Sequence, residues 1–403
     1  MTVLAMCLLG ALFNPAFLTG PDALVVNPAQ LAAPERPGFA CRVLNLGAGV
    51  ENNCLSFSQY NRYTGAYLDS AAKADILHTV PAEGFGLNGY LQAGAAEFGY
   101  GNLAASVRTV RRVGLRLPKD LIDLALQGNV LGRTYVADNA WASDEVYWRG
   151  GVGVGTGLGR HLMLGVAAYR LQGIYFREVS DARVSLLTTP VALVGAGTMA
   201  FREARGGAGW AADFGAACRV GSYHLSLSVL DLSNGIVWTE GIRQGIYSLD
   251  LDTCTVYEIS SEGRAWYGYS PNGSGYFITR LPVRVNLVVG HRFTDRMNVG
   301  IVALTRLAGA TDNDGWAVVG TYELWPKTWL PLATRLGFDS ESGTIAGFDA
   351  GLLVGRLSVS FGASDIAGLF LGARGAEWRL GLGYGTFYRE PRRPPDVLHL
   401  RSS

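Results

Sequence analysis

Apolar side chains fall on every second residue through much of this chain, and that period of two is the strongest constraint on what it can fold into. Around Tyr223 the odd positions Tyr223, Leu225, Leu227 and Val229 are apolar while His224, Ser226 and Ser228 are polar. Val283, Val285, Leu287 and Val289 alternate in the same way with Arg284 and Asn286, ahead of Arg292, and Leu357, Val359 and Phe361 with Arg356, Ser358 and Ser360. Val107, Val113 and Leu115 share a strand with Arg108, Arg112 and Arg116. Elsewhere glycine takes the second face, as in Gly151, Gly153, Gly155 and Gly157 between Val152, Val154, Thr156 and Leu158. Successive strand side chains point to opposite faces, whereas a helix would scatter these sets around its circumference.

Connection lengths separate a membrane barrel from a soluble sandwich. Tight turns at 100–102, 159–160, 221–222, 294–295, 326–327 and near 355 alternate with longer connections at about 60–84, 118–143, 177–206 and 233–280, then shorter ones near 310, 341 and 370. An up-and-down transmembrane β-barrel has this signature, with short turns at one rim and freely growing loops at the other. The strands read as 41–59, 85–99, 103–117, 145–158, 161–176, 207–220, 222–232, 281–293, 296–308, 314–325, 328–338, 345–355, 356–367 and 374–388, fourteen in all. An even number puts both termini at the short-turn rim, the periplasmic side of a Gram-negative outer membrane. Trp325, Trp329, Tyr223, Phe293 and Tyr388 fall at short-turn ends, and Trp148, Trp210, Trp238 and Trp316 near long-loop ends, as two interfacial girdles require.

Charged residues make up only 17% of the chain, below the quarter usual for a soluble surface. After the N-terminus no apolar run reaches the 18 or so residues of a membrane helix, so any crossing is made by strands. Basic residues are dispersed except for Arg389 to Arg393, which argues against nucleic-acid binding. The cysteines Cys7, Cys41, Cys54, Cys218 and Cys254 have no metal-ligand spacing, and neither a metal nor another cofactor is expected. Cys41 and Cys54 read either as an oxidised pair or as two small apolar residues. Residues 1–19 read as a signal peptide or its remnant, and 389–403 as a disordered periplasmic tail. Ser70 to His78 and Lys119 to Gln127, the latter opened by Pro118 and followed by Gly128-Asn129, read as helices in long loops.

The segment Val25-Val26-Asn27-Pro28-Ala29-Gln30-Leu31-Ala32 resembles the Asn-Pro-Ala element near the N-terminus of FadL-like and PorV-like outer-membrane barrels, and the tripeptide also occurs at Asn14 to Ala16. With Gly209 to Ala216, Leu225 to Leu232, Gly235-Ile236-Val237-Trp238 and Leu117 to Leu121, the chain resembles an uncharacterised family of barrels related to that superfamily. The resemblance covers most of residues 20–388. It implies fourteen strands and an N-terminal hatch, residues 20–40, folded into the lumen, with Asn27, Pro28 and Ala29 at the matching positions. It implies no substrate.

Candidate lumen residues are Arg108, Arg112, Arg116, His224, Arg284, Asn286, Arg292 and Arg356. Guanidinium groups there either bind anionic head groups or pair with acids such as Glu97, Asp213 and Glu377 to hold a filled lumen together. His224 stands two residues from Ser222 and from Ser226, but no nucleophile-elbow pattern accompanies it, and no enzyme activity is expected. The expected function is binding or passage of an apolar or amphipathic small molecule, with outer-membrane lipid as surroundings. The competing reading is a scaffold that docks secretion or surface-attachment partners through its long loops.

Overall fold

The computed structural model describes residues 14–254, 266–271, 275–307, 315–326, 328–340, 343–364 and 374–385. The expected tail 389–403, the first thirteen residues, Tyr388, and most of the connections near 310, 341 and 370 lie outside them.

Fourteen antiparallel strands close into a barrel: β1 (Phe39–Asn52), β2 (Phe85–Tyr100), β3 (Leu103–Leu117), β5 (Trp141–Leu158), β6 (Leu162–Thr188), β8 (Gly206–Val220), β9 (Tyr223–Glu240), β13 (Val283–Thr294), β14 (Met297–Leu307), β15 (Gly315–Leu324), β16 (Leu332–Asp339), β17 (Gly343–Val354), β18 (Leu357–Ser364) and β19 (Gly375–Gly385). Each pairs with its neighbours, and β19 returns to β1 through Ala40↔Gly385 to Glu51↔Gly375. Closure matters because lipid offers no partner for an open edge. The outward faces are those the alternation marks. Leu225, Leu227, Leu287, Val289, Ile301, Val359 and Phe361 are exposed, while His224, Ser226, Ser228, Asn286 and Ser360 are buried inside. So broad an apolar outer surface is foreign to a soluble monomer and fits hydrocarbon.

All fourteen expected strands are present, with two differences around them. The first strand ends at Asn52, not 59, because Ser56 and Gln59 form a capping box that starts a helix, α1 (Phe57–Tyr63). The expected loop helices are α2 (Ser70–Thr79) and α3 (Lys119–Gln127). The connections 177–206 and 233–280 are largely strand rather than loop. β6 runs on to Thr188, β7 (Leu193–Ala204) pairs with its upper half, β10 (Arg243–Cys254) pairs with β7, and β4 (Thr134–Val136) and β11 (Trp266–Pro271) flank them. At roughly 3.3 Å per residue, the 12 residues of β7 make this five-stranded sheet about 40 Å long along its strands.

Trp148, Trp210 and Trp316 face outward near the long-loop rim, and Tyr223, Phe293, Trp325 and Trp329 near the short-turn rim. Trp238 is a correction, since it is 0% exposed and points inward. Cys54 sits beside Thr79 at the long-loop end of the barrel with its sulfur 3.4 Å from Thr79 Oγ1, and Cys41 lies near the opposite end of β1. A strand of that length separates them by about 40 Å, so a disulfide between them is excluded.

Candidate functional site

Residues 14–38, just ahead of β1, do not lie on the outside. Their short helical turns, 15–17, 20–22, 23–26 and 28–32, touch β1, β2, β3, β5, β6, β8, β9, β13 and β14. Only a segment inside the barrel can reach strands so far around the ring. Asn14 to Thr19, expected to belong to a leader, are part of it, and Asn14 and Ala16 are as buried as Asn27 and Ala29.

The two Asn-Pro-Ala tripeptides are built alike. Asn14 Oδ1 accepts the Ala16 N–H at 3.1 Å, and Asn27 Oδ1 accepts the Ala29 N–H at 2.9 Å, each asparagine capping a turn that opens on proline. Asn27 Nδ2 also donates to the carbonyls of Ala216 and Leu227, both at 3.1 Å, which ties the segment to the β8–β9 ladder. The carbonyl of Val26 accepts from Ser228 Oγ at 2.6 Å and from Asn286 Nδ2 at 3.2 Å.

Close approach of this segment to the wall accounts for Gly153 and Gly155 of the glycine face seen in the sequence, and for Gly165 and Gly215. A Cβ on Gly165 would stand 2.2 Å from the carbonyl carbon of Pro28, and one on Gly215 would stand 1.9 Å from Asn27 Oδ1. Leu24 and Leu31 press against Gly153 and Gly155.

Glu35 fastens the end of the segment nearest the short-turn rim, bonded to Arg219 and, at 3.3 Å, to Arg292. Burial pushes its carboxyl up, but the two guanidinium groups outweigh that and hold it below the usual carboxylate range. A depressed pKa means the contact stabilises docking above the ordinary carboxylate pKa and is lost as pH falls through the lowered one. Protease access to residues 30–38 is therefore expected to rise on acidification below about pH 4, and a Glu35→Gln variant is expected to be partly open at neutral pH and much less sensitive to acid. Equal acid sensitivity in the two proteins would refute this role.

Above Leu24 and Val25 lies a small, partly open cavity. Arg108, Arg112, Arg149, Arg284 and Arg379 line it with Tyr90, Tyr147 and Tyr169. Arg108 Nε donates to Glu97 Oε1 at 2.5 Å, and Arg149 bridges Asp213 at 2.8 Å and Asp231. Arg284 Nη2 meets Asp231 at 2.7 Å, while Arg379 contacts Glu377 at 3.2 Å and Asp349 at 3.4 Å. Behind them Arg335 and Asp349, both essentially without solvent contact, pair at 2.8 Å and fill the side of the lumen toward β16 and β17. The acids Glu97, Asp213 and Glu377 all take arginines, as the filled-lumen reading expects.

The structure brings Arg108, Arg112 and Arg284 to this cavity and Asn286 to the N-terminal segment below it. His224 is buried beside the ring of Phe17, lower in the barrel, and neither of its ring nitrogens has a hydrogen-bond partner. Arg292 belongs to the Glu35 contact, and Arg116 is half-buried at the opposite end of β3, off the cavity. Arg356 is a correction. It occupies the exposed turn between β17 and β18, where its Nη1 approaches Tyr384 Oη at 3.5 Å, because the strand starts one residue later than the alternation suggests. Arg149, Asp231 and Arg379 were missed. Arg149 shares the inward parity of Gly151 and Gly153, and that parity was its available signal.

Among solved structures the chain resembles a FadL homologue of Pseudomonas aeruginosa at 12% identity and a TM-score of 0.51, covering 93% of this chain and 96% of that one. The fold is that of the FadL-type barrels. A deletion mutant of the TodX monoaromatic hydrocarbon channel gives 10% identity and a TM-score of 0.52 over 92% and 95% of the two chains. The toluene transporter TbuX of Ralstonia pickettii gives 11% and 0.50 over 94% and 97%. Residues 191–364 of the chain match a family of unknown function, DUF5723. No curated protein matches the chain in sequence.

Proposed function

We propose that this protein sits in a Gram-negative outer membrane, with its short turns toward the periplasm and residues 14–38 as a hatch, and that it binds and passes hydrophobic or amphipathic small molecules. The observation that carries the reading is one apolar column inside the wall. It runs from Phe277, Trp238 and Phe176 near the long-loop rim through Leu171, Tyr169 and Tyr147 to Leu24 of the hatch. Phe176 packs on Trp238 at 5.5 Å and on Phe277 at 5.2 Å, so the upper end is a stack of aromatic faces suited to apolar guests. Beside the column, the hydrogen-bond ladder from β9 stops at Leu230↔Arg284 and resumes at Ile236↔Thr279, a stretch that includes Pro282, which has no N–H to donate. The hydrocarbon channels among the fold relatives support the same reading.

The test is titration of the detergent-purified barrel with an environment-sensitive apolar fluorophore, together with mass spectrometry of co-purified lipid. Saturable binding is expected, weakened about tenfold when Leu171→Asp places a charge in the column. A folded wild-type barrel that binds neither fluorophore nor lipid would sink the proposal.

The docking reading draws on the projecting sheet, where Glu203 gathers Arg243 at 2.9 Å and Arg177 at 3.2 Å into a braced ridge. Deletion of residues 180–200 separates the two, since it removes the upper part of β6 and most of β7 from the projecting sheet and no residue of the column.

A further inference from the structure

A row of arginines crosses the outward face where the barrel wall passes into the projecting sheet. Asp144 of β5, Arg177 of β6, Glu203 of β7 and Arg243 of β10 are successive register partners, so their side chains stand in one line on one face. Arg111 of β3 joins one end through Asp144 at 2.8 Å, and Arg205 flanks the other with its Nε 4.0 Å from Glu203. Arg177 and Arg243 reach the same Glu203 at 3.2 and 2.9 Å. Four guanidinium groups thus share two carboxylates. The acids lie underneath, Glu203 with 3% of its side chain exposed, while the four arginines are half to three-quarters exposed. The row therefore presents N–H donors and a net positive charge to whatever surrounds the barrel.

Its height says what that is. Trp148 lies outward on β5 four residues from Asp144, about 13 Å along the strand toward the hydrocarbon, and Arg170 covers the outward ring of Trp210 at 5.0 Å. Tryptophans mark the edge of the hydrocarbon layer, so the row stands at the level of the head groups on the long-loop side. A dissolved anion reaches such a place only by diffusion, whereas a lipid is held beside it. We propose that this row binds the phosphate of an anionic lipid in the leaflet at the long-loop rim. Planar guanidinium forks pair phosphate oxygens two at a time, and basic clusters at this level draw anionic lipid. The proposal takes from the reading above only the orientation of the barrel and is independent of its apolar ligand.

The probe is bisphosphorylated lipid A, compared with the same lipid stripped of both phosphates, added to the full-length barrel in a non-ionic detergent. Native mass spectrometry reads the lipid-bound fraction, and heat-modifiable mobility reads folding. The phosphorylated lipid is expected to bind at least about tenfold tighter. Because removing arginines alone strands a buried carboxylate, the informative variant is the triple Arg177→Gln, Glu203→Gln, Arg243→Gln. It should lose that preference, the double Arg177→Lys, Arg243→Lys should keep part of it, and Arg356→Gln, in an exposed turn at the opposite rim, should keep all of it. Equal binding of the two lipids, or a preference that survives in the folded triple variant, would overturn the proposal. So would displacement of the lipid by inorganic phosphate, against chloride at equal ionic strength, since the site would then belong to a dissolved anion. Detergent binding is blind to orientation, which is read separately by an epitope inserted at the exposed Val191 and probed on intact cells. An epitope hidden there would overturn the orientation and the leaflet assigned here, and would leave the phosphate preference in detergent untouched.

Discussion

Replacing Gly165 with valine is expected to expel the hatch from the lumen while leaving the barrel closed. The new Cβ would meet the carbonyl carbon of Pro28 at 2.2 Å and the nitrogen of Ala29 at 2.3 Å. Both are backbone atoms fixed by the Asn27 cap, so no side-chain rotation relieves the contact, and overpacking of this kind costs about 1–3 kcal/mol. Displacing the turn also breaks the Asn27 bonds to Ala216 and Leu227, at about 1 kcal/mol each. The strand pairing of Gly165 with Gly155 and Gly215 is backbone to backbone and survives. Chymotrypsin cleavage inside the segment, after Phe17 or after the fully buried Leu31, should therefore become fast, and single-channel conductance should rise from near zero. Gly157→Val is the control. Gly157 lies on the same β5 face series as Gly153 and Gly155, but a Cβ there meets nothing within 4 Å, so neither readout should change. Slow cleavage and a silent channel in Gly165→Val would show that the segment has another seat.

How much of this was legible follows from what alternation can encode. Where one face meets hydrocarbon and the other a polar lumen, every second residue carries the difference, and all fourteen wall strands could be counted from it. Above the membrane both faces meet water or other protein. The upper parts of β6 and β9 with β7 and β10 keep their hydrogen bonds but lose the contrast, so Arg177, Glu178, Arg202 and Glu203 looked like loop. Trp238 was placed by its position near a loop, although its even number puts it with His224, Ser226 and Ser228. Two irregularities between Phe214 and Gly209 of β8, opposite Asp231 with φ +61 and Gly235 with φ +80 on β9, restore that parity, and parity was the better guide. The glycine faces were seen but not understood, since nothing in a period of two says that a backbone will press against them. Asn14-Pro15-Ala16 was legible as a copy of Asn27-Pro28-Ala29, and the structure gives both the same cap. The cavity's arginines were only partly found because their acids sit on other strands: Arg149 is 64 residues from Asp213 and 82 from Asp231. Only the register of the closed sheet brings them together.

That register also predicts the most damaging single charge removal. Asp231 receives Arg149 and, through a two-pronged contact, Arg284 Nε at 2.8 Å and Nη2 at 2.7 Å, with all three side chains largely shielded from solvent. Its backbone is left-handed, a conformation asparagine tolerates, so Asp231→Asn preserves shape and backbone and removes only the charge. Asp213 alone cannot answer both guanidinium groups, because it already accepts from Arg149 and from the Asp231 N–H at 2.7 Å. Breaking a buried pair by neutralising one partner costs about 3–5 kcal/mol. The outward pair Arg111–Asp144, bidentate at 2.8 and 2.9 Å but with the arginine half exposed, is worth at most about 1 kcal/mol. Urea unfolding in lipid vesicles, read by the mobility shift of the folded barrel, should thus show a midpoint loss for Asp231→Asn several times that for Arg111→Ala. Equal losses would mean that water reaches the Asp231 cluster freely, in which case the cavity is too wet to select a ligand by charge.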